Sequence, residues 1–213
     1  MNKKIEILLK DIGYKGFKKK NYMKENSKVL LHTCCAPCAS GVILKLKYHY
    51  KTEVISYFYN PNIYPEKEYK RRYRELLKLS EFFDFKVMEG EYNPEFWFKK
   101  TEKLKDEPEG GRRCYICYSL RLLKTAQKAK ELNIPYFTTT LTVSPHMNHK
   151  IINRIGKTLE KKTGVKFVEE NFKKENGYLY SVRISKKLNI YRQHYCGCLY
   201  SIPSDISDKS EDL

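Results

Sequence analysis

The chain has 213 residues, 41% of them hydrophobic, which suffices for one buried core and falls short of two average domains. Lysine and arginine outnumber aspartate and glutamate by 42 to 25, a formal charge of +17 that favours a polyanionic partner, most simply nucleic acid, because each neutralised phosphate releases counterions. No stretch approaches the roughly 20 apolar residues of a membrane span, and the basic start has neither the apolar centre nor the small-residue cleavage site of a secretory signal, so a cytoplasmic protein is expected.

Residues 1–27 read as a basic N-terminal extension, with a short helix over 4–9 and a lysine-rich linker behind it. A single α/β domain is expected over 28–203. It begins with a buried strand over 29–32 that stops at a group of thiols. Pro37 suits the first turn of a helix running toward Tyr50, so Cys34, Cys35 and Cys38 fall at a strand-to-helix junction. Free N–H groups and the macrodipole at such a junction favour thiolates. Residues 53–59 read as a second strand, closed by the loop chemistry of Asn60-Pro61-Asn62-Ile63-Tyr64-Pro65. A charged amphipathic helix is predicted over 66–83, then a third strand over 85–89. Asn93-Pro94 opens a further helix whose aromatic start, Phe96, Trp97 and Phe98, is best explained by core packing.

The polar loop 106–113, with its Gly110-Gly111 pair, delivers Cys114 and Cys117 to the start of a helix reaching about 132. A strand over 136–140, a loop over 142–148, a helix over 150–162 and a strand over 166–169 continue the alternation. Strands alternating with helices predict a parallel sheet with helices on both faces, Rossmann-like or HUP-like, with cysteine-bearing loops at the carboxyl ends of the strands, where such folds bind ligands. A basic helix over 178–190 leads into the last cysteines, and 204–213 read as an acidic flexible tail.

All seven cysteines fall into three short-spaced packets, Cys34-Cys35-Ala36-Pro37-Cys38, Cys114-Tyr115-Ile116-Cys117 and Cys196-Gly197-Cys198. Such spacing lets sulfurs from one turn of backbone face a common centre, as a thiolate-bound metal requires. Structural zinc closes with four ligands, and a four-iron, four-sulfur (4Fe-4S) cluster also takes four. Four thiols on a cluster and three on a neighbouring single metal would use the full set, and the surplus favours iron-sulfur over zinc. The competing class is a zinc-stabilised, non-catalytic RNA-binding module. Among the histidines, His32 lies on an apolar strand and reads as a core residue, whereas His146 and His194 lie in loops and are better functional candidates.

Five stretches carry a resemblance: HTCCAPC at 32–38, YNPNIYPEKEYKRR at 59–72, EGGRRCYICYSLRL at 109–122, FTTTLTVSPHMN at 137–148 and YRQHYCGCLYS at 191–201. In this order they resemble the QueH-type epoxyqueuosine reductases, a likeness running from Lys28 to Ile202. Two positions depart from the pattern, Cys38 where some members carry aspartate and Tyr64 where histidine is usual. The resemblance implies two-electron deoxygenation of the epoxide of epoxyqueuosine in tRNA, the last step of queuosine biosynthesis, by a 4Fe-4S cluster beside a mononuclear iron and without cobalamin. It implies as partners a tRNA carrying epoxyqueuosine at the wobble position and an external electron donor, a reductase or a ferredoxin- or flavodoxin-like protein, with no membrane.

On that likeness Cys34, Cys35, Cys114, Cys117, Cys196 and Cys198 are expected to bind the cofactor, and these six with Cys38 to supply the metal ligands. His146, His194 and Tyr195 are the candidates for the acid that delivers protons. Arg72, Arg113 and Arg121 are candidates for holding phosphate or ribose, because guanidinium forks suit oxyanions. An ATP-dependent tRNA sulfur-transfer enzyme would instead need a glycine- and serine-rich phosphate loop after the first strand, and Cys-Cys-Ala-Pro-Cys has no glycine to wrap a pyrophosphate.

Overall fold

Five strands, β1 (Lys28–His32), β2 (Glu53–Phe58), β3 (Lys86–Glu89), β4 (Tyr136–Thr139) and β5 (Lys166–Phe167), pair side by side in the order β3-β2-β1-β4-β5. Every pairing is parallel. The computed structural model describes residues 3–18 and 23–202, so the acidic tail expected over 204–213 lies outside the described residues. β1 sits at the centre and reads as an unbroken apolar run because both of its faces are covered. Val29 and Leu31 enter one core while Leu30 enters the other, as the two-residue repeat of a strand demands.

On the first face lie α2 (Ala36–Ile43), α3 (Glu66–Phe83) and α7 (Gly177–Lys187), together with α1 (Lys3–Asp11). α1 buries Ile5 and Leu8, and the segment behind it sets Tyr14 and Phe17 edge-on against Tyr180 at 5.2 and 5.6 Å. On the second face lie α5 (Arg112–Glu131) and α6 (His149–Thr163). α4 (Pro94–Thr101) is opened by Asn93, whose side chain accepts from the Phe96 N–H at 2.9 Å, and it buries Trp97 as core packing predicts.

The close approach of α2 to α7 depends on Gly41. A Cβ there would stand 2.7 Å from the Gly177 carbonyl and collide with Ser181. Beyond Ile43 the helix expected to reach Tyr50 continues, but as a wider π-turn over Leu44–His49 whose end is marked by Tyr50 N–H donating to Lys45 O at 3.0 Å.

The chain leaves β1 toward β2 and β3 on one side and returns to lay β4 and β5 on the other. The winding therefore reverses between β1 and β4, and in open parallel sheets the crevice beyond the carboxyl ends at such a reversal is where ligands bind. Thr33 and then Cys34 follow the end of β1, and Thr140 follows the end of β4.

Candidate metal centre

The first packet is held by the sheet. His32 ends β1 fully buried, with its ring bonded to Thr139 Oγ1 at 2.9 Å and Tyr59 O at 3.3 Å. Burial, reinforced by the charge of Arg121, lowers its pKa to about 3, so it is a neutral core histidine. Asn60 Nδ2 holds the Thr33 carbonyl at 2.8 Å, and the Cys34 N–H donates to Thr140 Oγ1 at 3.2 Å. With Cys35 at its cap and Pro37 in its first turn, α2 then carries Cys38 round to face the other two, leaving the three sulfurs within 4.8 Å of one another.

The three thiols share charge unequally. Those of Cys35 and Cys38 hydrogen-bond Cys34 and hold its pKa well below the usual thiol range. Cys35 is pushed up to about 12, its bond to Cys34 being the largest cause, and Cys38 is raised by its bonds to both neighbours. The hydrogen bonds between the thiols and their burial thus make Cys34 the one of the three that ionises most readily. A cation is what would let the others follow.

The second and third packets are assembled from farther apart. Cys114 and Cys117 occupy the first two turns of α5, both buried, and the Gly110 N–H donates to Cys114 Sγ at 3.2 Å. Arg113 gathers the preceding loop by donating to Leu104 O, Lys105 O and Glu107 O at 3.1, 2.7 and 2.6 Å, with its guanidinium 4.9 Å from the centre of the Tyr200 ring. Trp97 packs with Cys117 and Cys198 in one small apolar cluster.

Arg72 reaches across from α3, paired to Glu68 at 2.6 Å, and donates to Cys196 O at 2.9 Å and Tyr195 O at 3.2 Å. Gly197 has φ +112°, and a Cβ on it would lie 2.7 Å from Arg72 Nη1, so the middle position of this C-G-C packet admits only glycine. Tyr64 serves the same loop through its backbone. Its N–H donates to Gly197 O at 2.7 Å and its carbonyl accepts from the Tyr195 hydroxyl at 2.8 Å. The departure at position 64 therefore leaves this contact untouched. In this pair Cys198 is lowered to about 6, chiefly by its bond to Cys196, while Cys196 is raised by that same bond and by burial.

The first and third packets meet at one cavity. Cys34, Cys38 and Cys196 line one cavity of about 300 Å³, and Arg121, on its floor, interacts electrostatically with Cys117, Cys196 and Cys34, one from each packet. His146, His194 and Tyr195 line the same cavity, the two histidines exposed at its mouth. Tyr195 has its hydroxyl bonded and its pKa raised to about 12, mainly by burial. Arg72 and Arg121 line it too, whereas Arg113 does not, and all three guanidinium side chains are buried.

Sequence reasoning passed over Thr140, which touches both the N–H and the sulfur of Cys34, at 3.2 and 3.3 Å. The signal was available: Thr140 ends the β-branched run that forms the strand beside β1. Glu109 and Gln193 on the cavity wall lie within the stretches 109–122 and 191–201, and Tyr178 had no comparable signal.

The donor set suits an iron-sulfur group. Three soft sulfur donors lie within 4.8 Å of one another in the first packet, Cys196 lines the same cavity, and the seven thiols of the chain exceed what one zinc ion takes. One buried guanidinium nitrogen among them, Arg121 Nη2, lacks a hydrogen-bond partner.

A family model described as epoxyqueuosine reductase QueH matches residues 29–204. The epoxyqueuosine reductase QueH of Thermotoga maritima is 43% identical over 177 residues, covering 82% of this chain and 90% of that one. That of Streptococcus pyogenes serotype M1 is 40% identical over 179 residues, covering 81% and 69%. Among solved structures, the U34-tRNA thiolase NcsA from Methanococcus maripaludis with its 4Fe-4S cluster aligns at a TM-score of 0.55 and 13% identity over 99% of this chain and 73% of that one, a likeness of fold. Family match and relatives agree with the five sequence stretches, and the chain belongs to the QueH family of epoxyqueuosine reductases.

Proposed function

We propose that the seven thiols hold a 4Fe-4S cluster together with a mononuclear iron, and that the chain uses them to deoxygenate epoxyqueuosine at the wobble position of tRNA, giving queuosine-tRNA. The observation that carries this reading is that the first and third packets, far apart in sequence, line one cavity at the winding reversal of the sheet, with Cys117 of the second packet within electrostatic reach of the Arg121 that lines it too. When bound, iron and sulfide supply electrons singly at low potential and a Lewis acid for the departing oxygen.

The chain's own groups do the rest. Converting an epoxide to an alkene consumes two electrons and two protons and releases water. His146 and His194, facing the cavity from different loops, are the groups we assign to proton delivery. The Tyr195 hydroxyl is committed to the Tyr64 carbonyl, and with its pKa at about 12 it steadies the loop that bears Cys196. Lys173 donates to the carbonyl of Met147, a cavity-lining residue, at 3.1 Å, and its positive charge suits the phosphates flanking a wobble nucleotide. Electrons enter from an external donor, a reductase or a ferredoxin- or flavodoxin-like protein. No helix among the described residues is long and apolar enough to cross a membrane.

Iron, zinc and acid-labile sulfide measured on anaerobically purified protein test the assignment. A brown protein with iron and sulfide that bleaches in air is expected. A colourless protein holding zinc and no sulfide, unable to convert epoxyqueuosine-tRNA, would replace the reading with a zinc-stabilised RNA-binding module.

A further inference from the structure

Arg121 is 2% exposed and has no carboxylate partner among the described residues, unlike Arg72, which is paired to Glu68 at 2.6 Å. Its Nε reaches only the carbonyl of Cys117, one turn back on its own helix, at 3.3 Å, and its Nη2 has no partner at all. An unpaired guanidinium in such a place costs several kcal/mol, of order, unless an opposite charge offsets it. Cys34 and Cys196 line the cavity beside it, and Cys117 holds its Nε through the backbone carbonyl. Each of these cysteines comes from a different packet. Because Nη2 is sealed from water, it acts on the sulfur site through its field.

We propose that Arg121 is the positioning and charge-compensating residue of the sulfur site, holding the three packets around one positive centre and raising the reduction potential of the iron-sulfur group they bind. This rests on the iron-sulfur reading above. A net negative cluster gains a further negative charge on reduction, so a fixed cation beside it favours the reduced form. The phosphate- or ribose-holding role expected for this residue is thereby replaced by one inside the site.

The test uses full-length Arg121→Lys and Arg121→Met proteins, reconstituted anaerobically with iron and sulfide, with Arg154→Met on the exposed face of α6 as a control for lost net charge. Iron and sulfide per chain and the reduction midpoint, followed by electron paramagnetic resonance, are the readouts. Arg121→Met should disfavour reduction by about tenfold, a shift of about 59 mV to more negative potential for a one-electron couple. Arg121→Lys should stay near wild type, and Arg154→Met should not shift. If Arg121→Met fails to load, loading by Arg121→Lys supports compensation by charge, and equal failure of the lysine variant overturns it. Full loading with an unmoved midpoint, or a shift shared by Arg154→Met, also overturns it. A wild-type protein that takes up zinc and no sulfide sinks the iron-sulfur reading first and the proposal with it, a result visible before any variant is made.

Discussion

Cys34, Cys35 and Cys38 are held by the sheet and by the first turn of α2, whereas the later packets are held by side chains that reach in from other elements. The first three depend on β1, on the Asn60 bond to Thr33 O at 2.8 Å and on Thr140 beside Cys34. All of these are buried in the packed carboxyl edge of the sheet. Cys196 and Cys198 hang on Arg72, on the backbone of Tyr64 and on a glycine with φ +112°. The loop before Cys114 and Cys117 hangs on Arg113 and its three carbonyls. Fold stability thus secures one half of the centre directly and the other half through a few hydrogen bonds of long reach. Both halves should be needed for turnover, but they should fail differently.

The largest effect tests the need for both. Cys35→Ala and Cys117→Ala should each abolish conversion of epoxyqueuosine-tRNA, read by mass spectrometry of the digested tRNA, and each should lower bound iron. Turnover surviving in either variant with depleted metal would separate that half from the chemistry. Next comes Gly197→Ala, which must move a Cβ away from Arg72 Nη1 at 2.7 Å and adopt a left-handed backbone. We expect a loss of roughly 2–4 kcal/mol in urea unfolding of the metal-free protein and reduced iron loading, with β1 and its thiols undisturbed. If loading is full, the late loop has more freedom than its contacts imply. Arg113→Met should cost about 2–3 kcal/mol, because three carbonyls lose a charged donor in a buried site. A smaller loss than that of an exposed-lysine control would show the loop to be held by other means.

The same contrast separates what the sequence disclosed from what it hid. Elements were legible where a period or a cap is strong. The helix over Glu66–Phe83 follows from its charged amphipathic repeat, and the parallel order follows from alternation of strand and helix. The first packet was legible at its strand-to-helix junction for the same reason. Convergence of the other packets was not, since spacing shows which sulfurs are neighbours in sequence and is silent on which loops cross. The arginines show why. By sequence Arg72 and Arg113 are candidates for holding phosphate or ribose, and irregular loops brought inside leave carbonyls that need donors, which these guanidinium groups supply. The π-turn over Leu44–His49 left no mark in composition either. The sulfur-transfer alternative carries a further lesson. The fold is shared with a tRNA thiolase, so the sheet by itself does not tell the two chemistries apart.

The smallest expected effect sharpens the contrast most finely, because Tyr195 belongs both to the cavity wall and to the support of the late packet. Its hydroxyl donates to Tyr64 O at 2.8 Å, and mainly because it is buried its pKa stands near 12, which makes it a poor donor to a departing oxygen near neutral pH. Tyr195→Phe should therefore lose about 1 kcal/mol or less of stability, keep its iron and retain turnover within a few-fold. His146→Ala and His194→Ala, exposed at the mouth with little to lose in folding, should load iron normally, and at least one should slow single-turnover conversion by about 10²-fold or more. Were Tyr195→Phe instead to lose turnover with its iron intact while both histidine variants stayed active, the proton would have to come from the tyrosine. The hydrogen bond to Tyr64 would then hold the phenol in place for that transfer, and its contribution to the loop would be secondary.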